Sequence, residues 1–370
     1  MEKELEISQL LDKCAEKLLP RKIYSSFFKR PIYQYVQKHR DLLTKLEYCK
    51  QQVSGQPLKP ELHCQLADVY AGLNRWFPAI AEYRTGLALS KPDHNILLAL
   101  AGSYVAIGQL DSAIAIYEDI LSKTGDIDQK INELLSRART AKCRPLDEFD
   151  HNVYFRLKTL ADRLLDLFPV SKFSVLDVGG GEGMLSLFIP RADYVLAEPG
   201  INGLSGTALP FEDKSFDVIV ACHVLEHVQV EDREQFLDQL CSKARKYVVI
   251  LNPFYEPKCY VEEQLKIIVE LTNAQWAKEH LNCGLPKLEE VEQFAQKRKY
   301  GCKIWPNGSL LTSLAMVFVE HYAALAGHKD EIGKLNYLYN ELFFDQLTNP
   351  QFPTAQMVEF DVHGKYSGKI

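Results

Sequence analysis

The sequence predicts two architectures in one chain, an all-α region of repeated helices followed by an α/β region with a doubly wound, parallel sheet. Three observations predict this. The chain superposes on itself at a shift of 34 residues between Pro60 and Leu121. A short apolar strand, Phe173–Asp177, runs straight into a loop of glycines and then into a helical run. Beyond it, apolar strands alternate with helical patterns as far as Leu251, the order that gives parallel pairing.

Composition sets the outer limits. The chain has 370 residues, of which 46% are hydrophobic and 25% charged, so it is long enough for two or three cores and too apolar for wholesale disorder. A net charge of -6 argues against a general nucleic-acid binder, and no DNA partner is expected. The nine cysteines are scattered and never closer than 15 residues. They offer no zinc or redox pair, and no metal site is expected from local spacing. The opening MEKELEISQL lacks the apolar run of a secretory signal, and no apolar stretch reaches the ~20 residues of a membrane span. A soluble, reducing, cytoplasmic setting is expected.

Residues 1–58 read as an N-terminal helical segment. Within it, residues 21–50 carry eight Lys or Arg against Asp41 and Glu47, a local net charge of +6, interleaved with Tyr24, Phe27, Phe28, Tyr33 and Tyr35. Such a stretch either meets an anionic membrane or RNA, or is a helix pair that buries its aromatics and solvates its charges. Pro31 interrupts any long amphipathic helix and favours the second.

Residues 59–144 hold the repeat and a capping helix. The shift superposes Leu66 on Leu100, Ala67 on Ala101, Tyr70 on Tyr104, Ala79 on Ala113 and Tyr83 on Tyr117. Small and large residues at spacings of three and four mark helices packed face to face. The unit resembles the tetratricopeptide repeat, with Pro92 where that family ends a unit and with His63 and Ala67 in place of its consensus Trp and Gly. Two units are too few for an independent solenoid, so helices at 40–52 and 128–142 should complete the stack. The resemblance implies either a surface for a protein or peptide partner or a platform for the neighbouring domain.

Residues 145–370 carry the chemistry. A helical stretch, Phe149–Leu167, precedes strand Phe173–Asp177 and the loop Val178–Gly183, which reads D-x-G-x-G-x-G from Asp177. Strand, glycine loop and helix in succession let a ligand approach the backbone at the carboxyl end of a parallel strand. Met184 stands where a dinucleotide fingerprint needs its third glycine, which argues against a nicotinamide cofactor. Strand Asp193–Ala197 ends at Glu198, an acid placed to accept hydrogen bonds from ribose hydroxyls. Next come Leu209-Pro210-Phe211-Glu212-Asp213-Lys214-Ser215-Phe216-Asp217, strand Val218–Ala221, the helix opening Cys222-His223-Val224-Leu225-Glu226-His227-Val228, and strand Tyr247–Leu251. Counted as the fold is usually built, these last two strands are the fourth and fifth.

This set resembles the class I S-adenosylmethionine-dependent methyltransferases, notably the group with an LPF-x-D-x-SFD segment and a VLEHV helix. The resemblance covers about 173–254 and implies a Rossmann-like doubly wound methyltransferase sheet (172–255). It also implies S-adenosyl-L-methionine as cofactor. Asp177, Gly179 and Gly181 would then contact its methionine part and Glu198 its ribose. The segment before Leu209 has no acid for the adenine, which leaves Ser205 or backbone groups. Cys222 and His223 would line the other side, and His227 would project toward the pocket. Read as residues, Asp177 either serves that site or caps the loop amides. His223 and His227 are either catalytic bases or ordinary helix-start residues.

Residues 256–350 read as helices, with a strand at Tyr300–Trp305, and 356–362 as a last strand. These helices should interrupt the pairing of the last two strands and cover the substrate side. The runs Glu279–Pro286 and Trp305–Ser309 look similar to methyltransferases of sugar or polysaccharide modification, which implies a small-molecule or glycan substrate. His280, Asn307 and Tyr322 are candidate contacts. The expected function is methyl transfer to an unidentified acceptor, with the repeats recruiting a partner; the rival is a weak or inactive methyltransferase fold serving as an interaction scaffold.

Overall fold

The computed structural model describes residues 31–363 apart from residues 92, 125–127, 256–260, 343 and 345–347. Residues 21–30 of the basic stretch, Pro92, Cys14 and Cys259 lie outside the described residues. Among those described, no helix is long and apolar enough to cross a membrane.

Six helices come first: α1 (Pro31–Gly55), α2 (Pro60–Gly72), α3 (Trp76–Leu89), α4 (His94–Ala106), α5 (Leu110–Thr124) and α6 (Gln129–Thr140). The starts of α2 and α3 recur in α4 and α5 at the 34-residue offset. The turns recur as well, since Asn74 and Gly108 both take the left-handed conformation, φ 59° and 78°, that closes a helix end. Pro60 presets the first turn of α2, while Asp93 and Asp128 cap α4 and α6 by accepting from free backbone N–H groups. Ala67, Ala79, Ala101 and Ala113 are fully buried, and Tyr70, Tyr83, Tyr104 and Tyr117 nearly so. The small residues let helix axes approach and the tyrosines fill the gaps.

Helix α7 (His151–Leu167) leads into a six-stranded sheet. In chain order the remaining elements are β1 (Ser174–Val178), α8 (Leu185–Phe188), β2 (Asp193–Ala197), α9 (Pro199–Asn202), β3 (Phe216–Cys222), α10 (Arg233–Lys243) and β4 (Ala244–Asn252). Then come α11 (Val261–Thr272), α12 (Gln275–Cys283), α13 (Leu288–Arg298), β5 (Gly301–Asn307), α14 (Leu310–Leu325), α15 (Lys329–Leu342) and β6 (Ala355–Asp361). The strand order is β2-β1-β3-β4-β6-β5; β1 to β4 are parallel, and β6 runs antiparallel to both β4 and β5. Strands β1 to β4 and β6 are largely buried on both faces, whereas β5 at the edge is mostly half-buried. Val175, Val218, Val220 and Val249 pack toward α7 and the repeat helices, whereas Leu176, Ile219, Val248 and Phe360 pack toward α10 and α13.

One expectation fails here. Phe216–Cys222 and Ala244–Asn252 are the third and fourth strands, not the fourth and fifth, because residues 203–215 form no strand. Gly203 turns left-handed at φ 77° and Pro210 cannot donate to a ladder. Helix α3 instead lies along the open side of β2. There the Leu196 amide donates to Thr85 Oγ1 at 3.1 Å, and the Leu196 carbonyl accepts from Asn202 Nδ2 at 2.9 Å.

That contact continues inward as a buried polar chain. Asn202 Nδ2 also donates to Glu82 Oε1 at 2.9 Å, and Glu82 Oε2 lies 2.6 Å from His63 Nδ1. His63 Nε2 sits 2.8 Å from the Pro57 carbonyl. Opposite an ionised Glu82 both neighbours of the imidazole accept, and the ring then holds both protons. Burial works against that charge, but the charge and hydrogen bond of Glu82 and the Pro57 carbonyl prevail and raise the His63 pKa. Arg84 donates from the same helix to the carbonyls of Ser186, Ile189 and Ala192, and its guanidinium stacks over Tyr194, 5.4 Å from the ring centroid.

Glu82→Gln should therefore cost about 3–5 kcal/mol in urea unfolding, since it strands a buried imidazolium. Because the folded His63 pKa is raised, its contribution should be complete below about pH 6.5 and lost as pH climbs through the folded value. His63→Gln should flatten that part of the stability–pH curve; an unchanged curve would refute the charged assignment.

Candidate active site

Four parts of the fold enclose one cavity of about 900 Å³. Its floor is the glycine loop after β1, one wall is the end of β3, and the other walls are the start of α7 and the helices α11, α12 and α14. The polar network of α15 sets that opening of α7: Asn336 Oδ1 accepts from the His151 amide, and Asn340 Nδ2 donates to the carbonyls of Asp147 and Phe149. Helix α15 is thus tied to the start of α7 through side-chain amides.

Asp177 lies on β1 opposite Leu196 on one side and Val220 on the other, and is 1% exposed. Tyr194 donates its hydroxyl to Asp177 Oδ2 at 2.7 Å, while Oδ1 has no hydrogen-bond partner. Burial drives the carboxyl pKa up to about 7, with the Glu198 charge pushing the same way and the Tyr194 hydroxyl pulling it down. Gly181, at φ 55°, has open space where a side chain would stand, so the loop presents bare backbone to the cavity. Gly183, at φ 76°, is pressed from below, and a Cβ there would lie 2.4 Å from that of Ala81 on α3.

Glu198 follows β2 and bridges two segments. Its Oε2 accepts from the Gly181 amide at 3.1 Å and its Oε1 from the Gly200 amide at 3.0 Å. Each oxygen keeps acceptor capacity for a further donor. The structure brings Asp177, Gly179, Gly181, Cys222, His223 and His227 together along the cavity; Glu198 and Ser205 stand outside its lining. Ser205 is exposed in a turn, with its hydroxyl 3.0 Å from that of Thr207. His280 and Asn307 line the cavity, whereas Tyr322 does not and points its hydroxyl at the Leu271 carbonyl, 3.4 Å away.

The end of β3 is conformationally unusual. His223 has φ 57°, uncommon for a residue with a Cβ. It is held there by its amide, which donates to the Leu251 carbonyl at 2.8 Å, and by Asn252 Oδ1, which accepts from the next two amides. Cys222 has its thiol pushed up to about 12 by burial, so it lines the cavity as a neutral group. Burial also lowers the His223 pKa and takes that of His280 down to about 4.

Sequence reasoning passed over several residues that matter here. Tyr194 positions Asp177, Arg156 lines the cavity, and Glu226 is fully buried between His223 and His280. Glu226 lies within Cys222–Val228, and that is its one local signal. Tyr194 is paired with Asp177 only through space, and Arg156 only through the direction that α7 faces.

Comparison with known proteins gives one family match. Residues 149–297 match the family model described as a methyltransferase domain. No curated protein matches the chain. Among solved structures, the YcgJ protein from Bacillus subtilis is 13% identical, with 55% of this chain and 98% of that one aligned at a TM-score of 0.35. An S-adenosylmethionine-dependent methyltransferase from Thermotoga maritima is 12% identical over 59% of this chain and 91% of its own, at 0.36. Phosphoethanolamine N-methyltransferase 2 from Haemonchus contortus, in complex with S-adenosyl-L-methionine, is 11% identical over 55% and 52%, at 0.34. The segment from α7 to α13, with its glycine loop and parallel strands, is thus the part of the chain that matches a methyltransferase domain.

Proposed function

We propose that the protein is an S-adenosylmethionine-dependent methyltransferase whose cofactor lies along the glycine loop and whose acceptor enters the cavity beneath the helices. The observation that carries this is Asp177, a buried carboxylate with one unpartnered oxygen, beside a loop whose backbone is bare. An uncompensated buried carboxylate is costly, and a ligand amine would satisfy it. The residues therefore fit the group that the domain type implies.

In this reading Asp177 holds the amine of the cofactor, and Gly179 and Gly181 let its methionine part approach. Glu198 takes the ribose with the acceptor capacity left after its two backbone contacts, and Ser205 or nearby backbone meets the adenine. When bound, S-adenosyl-L-methionine supplies a methyl group already activated on a sulfonium. The chain's part is to align the acceptor lone pair behind that methyl and to exclude water. Cys222 and His223 line the path, and His223 and His227 are the groups placed to take a proton from an acceptor hydroxyl. The acceptor is assigned to small molecules of sugar or polysaccharide type, and the setting to the cytoplasm. The helices 60–124, assigned as tetratricopeptide repeats, recruit a protein or peptide partner through the surface that α3 leaves free.

S-adenosylhomocysteine should bind the purified chain in the micromolar range by calorimetry, and Asp177→Ala should weaken it by roughly 10- to 100-fold, the worth of a charge-assisted hydrogen bond. Binding that is absent at millimolar ligand, or indifferent to the substitution, would refute the reading.

The same carboxyl links binding to pH. Below about pH 7 it is largely protonated in the free protein, and a cationic amine favours its ionised form. Binding should then release a proton, and affinity should rise by at most about tenfold per pH unit up to about 7 and level off above it. Asp177→Asn should abolish the release, read from calorimetry in buffers of different ionisation enthalpy.

A further inference from the structure

We propose that Glu226, His227 and His280 form a binding site for a divalent first-row cation on the cavity wall, with open coordination positions that take an oxygen of the acceptor. The site itself stands on geometry alone; its role toward the acceptor rests on the methyl-transfer reading.

Each of the three side chains offers one ligand atom, and those atoms lie within 4.8 Å of one another. All three line the cavity. Glu226 is fully buried, and neither of its carboxylate oxygens has a hydrogen-bond partner. Its closest polar neighbours are His223 Nδ1 at 3.3 Å and His280 Nε2 at 3.6 Å from Oε1. The second separation is too long for a hydrogen bond but close to the ~3.4 Å that separates two ligands on one tetrahedral ion with bonds of ~2.0–2.1 Å. Glu226 is paired with His223 on one side, and the gap it leaves toward His280 is the size a cation between the two would fill.

The surroundings agree with this. His227 Nδ1 is 3.3 Å from Glu279 Oε2, an outer carboxylate that leaves Nε2 for the ion, as at histidine metal sites. The rings of His227 and His280 meet edge to face, their centroids 4.8 Å apart, and Trp276 packs against His280 from the other side. Glu226 is fixed on a short turn directly after β3, and His280 on α12. Only His227, on the exposed side, needs to swing inward to close the site. Two imidazoles and one carboxylate suit a cation of the manganese-to-zinc series better than magnesium or calcium, which prefer all-oxygen sets. Three protein ligands leave at least one position open toward the cavity, where an acceptor hydroxyl or carboxylate can coordinate. If His227 is a ligand, His223 is left as the group that accepts the acceptor's proton.

The test uses the untagged full chain, stripped with chelator and titrated with Co²⁺ alone. One equivalent should bind with a visible d–d absorption band, and Zn²⁺ but not Mg²⁺ should displace it. His280→Gln and Glu226→Gln should each weaken Co²⁺ by at least about tenfold. His227→Ala, on the exposed side, should do the same without disturbing the core, so loss of folding in the buried variants does not blunt the test. Absence of stoichiometric Co²⁺ at about 0.1 mM metal, or full binding retained in His227→Ala, would overturn the site. S-adenosylhomocysteine binding is measured in parallel on the stripped protein. Metal binding without it would uphold the site and refute the methyltransferase reading, so the two failures are separable.

Discussion

A parallel sheet that ends at β2 leaves a row of amides and carbonyls with nothing to pair them, and the helix α3 is placed along that edge. Where a further strand would ordinarily pair, residues 203–215 turn away, and α3 takes the place instead. A helix cannot supply a ladder, because its own backbone groups are already used. It must close the edge with side chains. Thr85 accepts the Leu196 amide, and Asn202 serves the Leu196 carbonyl while anchoring itself on Glu82. Glu82 then needs a cation in the dry interior, and His63 on α2 provides it, held in its doubly protonated form by the Pro57 carbonyl.

This edge closure reaches the cavity by contact. Arg84, one residue before Thr85, satisfies the carbonyls around α8 and stacks on Tyr194, whose hydroxyl holds Asp177. Ala81, one residue before Glu82, lies under Gly183 and sets how far the glycine loop can sink. Arg75, just ahead of α3, pairs with Glu182 in the loop at 2.9 Å, although so exposed a pair adds little stability. The repeat helices therefore act on the loop geometry directly. A perturbation of α2 or α3 would be felt at Asp177 through two side chains.

What the sequence made legible follows from range. The 34-residue unit shows because packed helices impose small and large residues at fixed spacings, and its element bounds and left-handed turns recur at that spacing. The glycine loop shows because backbone that must approach a ligand excludes side chains over consecutive positions. The missing strand does not show, because residues 203–215 carry no local mark of what replaces it; the Thr85 contact, 111 residues from Leu196, reveals that. His63, Glu82 and Asn202 look like ordinary helix and loop residues until the fold brings them together. The same is true of His280, 53 residues from His227 in sequence and in ring contact with it in space. Local spacing detects metal ligands only when one segment supplies them all.

Two buried carboxylates, Asp177 and Glu226, thus face one cavity, each with unpartnered oxygen. Their pairing with cations is a matter of charge as much as of shape. A low-dielectric cavity lined by anions concentrates positive charge, and it does so most where water is excluded. Asp177 lies at the glycine loop and Glu226 at the end of β3, so above about pH 7, where Asp177 is ionised, the interior carries a negative site at its floor and another at its wall. An anionic acceptor entering alone would meet repulsion from both; Arg156 on α7 offsets part of it near Cys222 and His223. A cationic cofactor at one wall and a divalent cation at the other would reverse the sign of the field, turning the same cavity into one that draws in a hydroxylated or anionic acceptor only after both walls are filled. Order of binding would then follow from electrostatics, with the acceptor last.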